Sequence, residues 1–169
     1  MVADTLEKLF EHNNWANLQI IQACSSLTDQ QRDAPPGSAT KGSLRQTLTH
    51  LVEAQRNYLR LLTLPLEERL ERLPSPPFAE LMESVSRSGE ALLDLARPGA
   101  GKLPGEKIKT RDGGLVEPWV ILIQVINHAT EHREQIKSML TALGITPPDI
   151  DGWSYGDSTG AYLPAEKKT

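Results

Sequence analysis

The chain is short of the features that most readily betray a function. It has one cysteine, Cys24, so no intramolecular disulfide can form and no Cys-x-x-Cys pair offers a thiolate metal site, a usage that suits a reducing compartment and predicts a cytoplasmic address. It has no excess of positive charge. Lys and Arg total 18 against 22 Asp and Glu, for a net charge of -4, and no long basic run is present, so the electrostatic footprint of a nucleic-acid binder is missing. No apolar run approaches the roughly 20 residues that cross a membrane, and Asp4, Glu7 and Lys8 stand in the first turns. The chain is expected to be neither secreted nor membrane-embedded. With 169 residues it has the size of one domain able to bury a core without staples, and no internal repeat marks it as a solenoid.

What is present is helical periodicity. A first helix is predicted over Val2 to Leu27, with Leu6, Phe10, Trp15, Leu18, Ile20 and Ile21 on one face, stopping near Ser25, Ser26 and Thr28. The breakers Ala34-Pro35-Pro36-Gly37-Ser38 lead to Ser43, an N-cap for a second helix carrying Leu44, Leu48, Leu51, Ala54, Tyr58 and Leu62. Pro65 and the prolines from Pro74 to Pro77 separate it from a third, Phe78 to Ala96, which turns Leu81, Val85, Leu92 and Leu95 inward and ends at Pro98-Gly99. Between Leu103 and Val116, the alternation Lys107-Ile108-Lys109-Thr110 before Asp112-Gly113-Gly114 predicts an extended connector or small hairpin. The fourth and most apolar helix opens at Glu117-Pro118 and runs through Trp119, Ile123, Ile126 and Ile136 to Gly144. From about residue 145 the tail reads as irregular, wrapping back with Trp153 and Tyr155 as anchors and frayed at Lys167-Lys168. These elements predict an all-α fold, one domain over residues 1–169, built as a four-helix bundle.

The four histidines are His12, His50, His128 and His132. Four residues of α-helix turn the chain about 400° and raise it about 6 Å, so His128 and His132 leave the same face. The stripe they occupy also carries Ile121, Val125 and Gln135, so these rings belong to the inward edge of the helix rather than to a solvated face. His50, one turn from Thr47 and Ala54, lies near the inward face of the second helix and is the best candidate for a third ligand. Three neutral imidazoles with an open position suit divalent Zn, Ni, Co or Fe. The plainer alternative is core histidines satisfied by hydrogen bonds. His12, among Glu11, Asn13 and Asn14, reads as a surface or partner-facing residue and is left out of the site.

Two other metal motifs are tested against the letters. His128-Ala129-Thr130-Glu131-His132 fits the H-x-x-E-H string of inverted zinc proteases, but the chain is too small for that architecture, and Glu131 points about 100° away from His132 around the helix. A di-iron bundle needs inward Glu-x-x-His pairs, whereas Thr47, Val125 and Ala129 precede the three histidines by three.

Trp15-Ala16-Asn17 in the first helix, Thr49-His50-Leu51-Val52 in the second, and Asn127-His128-Ala129-Thr130-Glu131-His132-Arg133-Glu134-Gln135-Ile136 in the fourth resemble the DinB family over most of the chain. The resemblance implies a four-helix bundle with an up-down-down-up course, related to mycothiol-dependent maleylpyruvate isomerases and bacillithiol transferases. It maps the ligands of a divalent metal onto His50, His128 and His132. The family often has glycine where this chain has Glu134, a position expected to point away from the ligands. The family is not the DNA polymerase of the same name.

The sequence reading is therefore a metal-dependent enzyme that activates a low-molecular-weight thiol for transfer to, or isomerisation of, a small electrophile. A non-catalytic, metal-stabilised binding or stress-response protein is the alternative, closed by a fourth ligand for which Glu53 is the obvious carboxylate. Metal-dependent hydrolysis is a third reading. No catalytic residue is assigned. Asn13, Arg133 and Gln135 are candidates to orient substrate or ligands, with plain helix-surface roles as their alternative. A small-molecule substrate and a homodimer are expected; a nucleic-acid or membrane partner is not.

Overall fold

A computed structural model describes residues 2–36, 42–71, 73–97, 99 and 103–163. Gly37, Ser38 and Pro98 of the predicted breakers, and the tail end expected to fray, lie outside these. The described residues form seven α-helices, one 3₁₀ turn and a two-stranded hairpin, so the fold is all-α with a minimal sheet. Four helices are long: α1 (Val2–Ser25), α3 (Leu44–Thr63), α5 (Leu81–Ala96) and α6 (Pro118–Ala142). Of these, α1 packs against α5 and α6, and α3 packs against the same two.

Local sequence explains the boundaries. Ser43 caps α3 in a reciprocal box, its hydroxyl accepting from the Gln46 amide while the Gln46 side chain accepts from the Ser43 amide at 2.8 Å, which satisfies two otherwise orphaned donors. Pro118 occupies the first turn of α6, where a missing N–H costs nothing. Beyond its end Gly144 takes φ +73°, the left-handed region in which glycine has no Cβ penalty. The hairpin pairs β1 (Ile108–Lys109) with β2 (Leu115–Val116), Ile108 opposite Val116.

Three short helices depart from the sequence reading. Thr28 and Gln31 form a second capping box that starts α2 (Asp29–Asp33) where only a stop was expected. The helix α4 (Leu66–Leu70) follows Pro65 directly. The tail, read as irregular, contains α7 (Gly152–Ser158), capped by Asp151 accepting from the Ser154 amide at 2.8 Å. Trp153 is not the expected anchor: it is 69% exposed, and its ring stands edge-on to Tyr162 with centroids 5.0 Å apart. The anchoring falls to Tyr155, whose ring meets Trp15 and His12 and whose hydroxyl donates to Glu11 at 3.2 Å. His12 is accordingly half-buried, its Nε2 2.9 Å from the carbonyl of Ile150, rather than free on the surface.

The core divides in two. One apolar cluster gathers Ile20, Cys24, Leu48, Leu51, Leu81, Ile136 and Leu140; the other gathers Phe10, Leu62, Leu92, Ile108, Ile121 and Val125. Leu81, Val85 and Leu92 are buried as predicted, with Leu95 half-buried against the second cluster. Burial among aliphatic side chains pushes the Cys24 thiol up to about 12, which makes it a poor thiolate and an inert packing residue.

Between the clusters lies a buried polar layer drawn from all four long helices. Arg133 donates from Nη1 to Asn13 Oδ1 at 2.8 Å and Asn17 Oδ1 at 2.7 Å, and from Nη2 to Thr130 Oγ1 at 2.9 Å. Asn17 donates to Gln55, and Gln55 to Ser88 Oγ and the Val85 carbonyl. No carboxylate among the described residues pairs with Arg133; burial lowers its pKa to about 10, still far enough above neutrality to keep it charged.

Candidate metal centre

Packing of α3 against α6 brings together the three histidines selected from sequence. His50 Nε2 and His132 Nε2 each lie 3.2 Å from His128 Nε2, and the ligand atoms of the three all fall within 4.8 Å of one another. Two nitrogens bound to one ion at about 2.0–2.1 Å stand roughly 2.9–3.4 Å apart for octahedral to tetrahedral angles. The 3.2 Å spacings fit that range.

The rings are also prepared electronically. His132 Nδ1 lies 2.8 Å from Gln135 Oε1. An amide oxygen only accepts, so the imidazole proton sits on Nδ1 and the Nε2 lone pair faces the cluster. Burial, with smaller contributions from His132 and His50, pushes the His128 pKa down to about 4. His50 is lowered too, by burial first and His132 second, against an opposing pull from Glu53. Both rings are therefore unprotonated at neutral pH, as ligation requires. Tyr58 on α3 stands edge-on to His128, ring centroids 5.7 Å apart, and walls one side.

No further histidine, cysteine or carboxylate among the described residues joins the three. Glu53 accepts a hydrogen bond from Ser75 Oγ and is outside the cluster that could hold an ion. Glu131 is exposed, against the protease string. Glu134 is exposed as well and pairs with Lys137 at 3.1 Å, so the departure from glycine leaves the ligands untouched. Of the three residues considered for orienting roles, Gln135 contacts a ligand. Asn13 and Arg133 do not; they belong to the polar layer, and both are buried rather than on the helix surface. Sequence reasoning missed Asn17, Gln55 and Ser88, which complete that layer, although each sits on an otherwise apolar stripe.

A helical protein with three histidines placed to hold a divalent ion is the class that fold and geometry define. The chain belongs to the DinB family, whose sequence profile matches residues 1–168. No curated protein sequence matches it. Among solved structures, the chain is similar in fold to a protein from Exiguobacterium sibiricum 255-15 assigned to the DinB family, with a TM-score of 0.67 at 18% identity, over 88% of this chain and 97% of the other.

Proposed function

We propose that this DinB family member is a metal-dependent enzyme acting on a small molecule. His50, His128 and His132 hold a divalent ion, and a low-molecular-weight thiol is the co-substrate for transfer to, or isomerisation of, a small electrophile. One observation carries the reading: three imidazole nitrogens converge, and no described carboxylate or thiolate joins them. Structural sites are closed by four protein ligands, whereas catalytic sites keep a position open. When bound, a divalent ion lowers the pKa of a coordinated thiol and so supplies a thiolate at neutral pH.

The chain's own residues contribute placement and protonation. The helices α3 and α6 hold the rings on rigid backbone, Gln135 keeps the His132 proton on Nδ1, and Tyr58 shields one flank. Metal-dependent hydrolysis uses the same triad but needs a general base within reach, and no described carboxylate joins the cluster. The non-catalytic reading needs a fourth ligand, and Glu53 is turned to Ser75.

The same proposal includes an up-down-down-up course for the four long helices, a cytoplasmic address suited to a buried free thiol, and a homodimer. Trp119 and Ile123, 58% and 51% exposed on α6, favour self-association, which sedimentation velocity tests directly. For the activity, metal-loaded protein is assayed for thiol consumption across a panel of thiols and electrophiles beside His128→Ala. Consumption that disappears in the variant supports the reading. No consumption with any pair removes the enzymatic part of it.

A further inference from the structure

A sizeable cavity lies away from the histidines, between α3 and α5 beneath segment 73–77. Its volume is about 580 Å³, within the range of small-molecule sites. Leu59, Leu73, Pro74, Pro77 and Ala91 give it apolar walls, and Arg56 and Arg60 stand at its edge. A second, more polar cleft of about 290 Å³ shares Arg56, Leu73, Pro74 and Ser75 with the first and continues to Asn57 and Arg111. The two form one trough, with Arg56 at the junction of its apolar and polar ends. None of His50, His128 and His132 lines either cleft.

The charges of this trough run against those of the chain. Among the described residues that line it are four arginines, Arg56, Arg60, Arg87 and Arg111, and three glutamates, Glu53, Glu80 and Glu83, in a molecule whose net charge is -4. Two of the glutamates are engaged within the trough itself: Glu83 pairs with Arg87, and Glu53 accepts from Ser75. Arg60 donates to the carbonyls of Glu68 and Glu71, closing off the C-terminal end of α4. Arg56 has only one long contact, Nη1 to the Pro74 carbonyl at 3.5 Å, and forms no ion pair among the described residues. A guanidinium with its paired donors unspent matches a carboxylate in two-point geometry.

We propose that this trough binds a small monocarboxylate with an apolar body, the carboxylate on Arg56 and the hydrocarbon between Leu59, Leu73, Pro74 and Ala91. The site is independent of the metal centre, and it adds to the protein a recognition element for amphipathic acids. Calorimetric titration of the full chain with octanoate, its neutral isostere octanamide, and acetate tests it. Octanoate binds about tenfold more tightly than either of the others, the scale of one charge-assisted bond or one apolar contact surface lost. In Arg56→Gln, octanoate falls to the level of octanamide while octanamide is unchanged; in Ala91→Phe, both weaken. In a His128→Ala, His132→Ala double variant, octanoate binds as in the parent. Loss of binding there would place the carboxylate on the metal instead and overturn the proposal, while leaving the metal reading intact. Equal affinities for octanoate and octanamide in the parent, an Arg56→Gln variant that binds octanoate normally, or no saturable binding below about 10 mM would each overturn it as well.

Discussion

Arg133 is a cation buried at 3% exposure whose three acceptors are two side-chain amide oxygens and a hydroxyl, and its removal has a cost that can be worked out. Replacement by Ala orphans Asn13 Oδ1 and Asn17 Oδ1, at about 1–3 kcal/mol each. It also deletes the buried methylene stem, worth roughly 2 kcal/mol. Against this stands relief of the buried charge: a pKa lowered to about 10 from 12.5 corresponds to about 3 kcal/mol of preference for the neutral form. The balance is a loss of about 3 kcal/mol for Arg133→Ala. Arg133→Met keeps most of the stem, sheds the charge, and loses about 1 kcal/mol by the same bookkeeping. Urea unfolding of both variants and the parent, at fixed metal content and with m unchanged, measures the difference. Equal losses for Ala and Met, or an Ala variant within about 0.5 kcal/mol of the parent, would refute the reasoning.

Other consequences follow from single positions. A Cβ at Gly89 meets Asn14 Oδ1 at 2.6 Å, so Gly89→Ala destabilises by about 1–2 kcal/mol, and adding Asn14→Ala restores most of the loss in the same denaturation assay. Removing the Gln135 oxygen that holds the His132 tautomer weakens metal affinity about 10–100-fold in Gln135→Leu by competition with a chromogenic chelator; an unchanged affinity contradicts that role. With chelator present, the pH dependence also has a fixed sign. His128 titrates at about 4 in the fold and near 6.5 when unfolded, so below about 6.5 the unfolded state binds more protons. Stability falls until about pH 4 and then falls no further on this account. The parent's urea midpoint therefore drops more steeply over that window than that of His128→Gln, and parallel slopes would sink the assignment.

Much of this was legible in the letters because helices write their caps and faces locally. Ser43 with Gln46, Pro118 with Gly144, and the alternation around Ile108 each mark an element within a few residues. His50 could be chosen because its position on α3 places it beside the inward face that meets α6. The short helices α2, α4 and α7 were illegible as helices because one or two turns carry almost no periodicity; α2 had only the Thr28 and Gln31 box to announce it. Trp153 was misjudged because a large apolar ring was assumed to bury, and the half-polar Tyr155, with a hydroxyl to satisfy at Glu11, took the anchoring place. The polar layer was only half seen, Asn13 and Arg133 being noted but not as partners of Asn17, Gln55 and Ser88, for a related reason. Arg133, Asn17 and Gln55 look like surface residues until pairing across three helices shows how each is satisfied.

The claim that His50, His128 and His132 form a metal site is tested most directly by elemental mass spectrometry on tag-free protein purified without chelator, beside a His128→Ala, His132→Ala double variant. About one divalent ion per chain in the parent, absent from the variant, is the result predicted by a His128 Nε2 that stands 3.2 Å from both His50 Nε2 and His132 Nε2. No metal in either protein, after reconstitution with Zn, Ni, Co and Fe in turn, would contradict the account and leave the histidines as hydrogen-bonded packing residues.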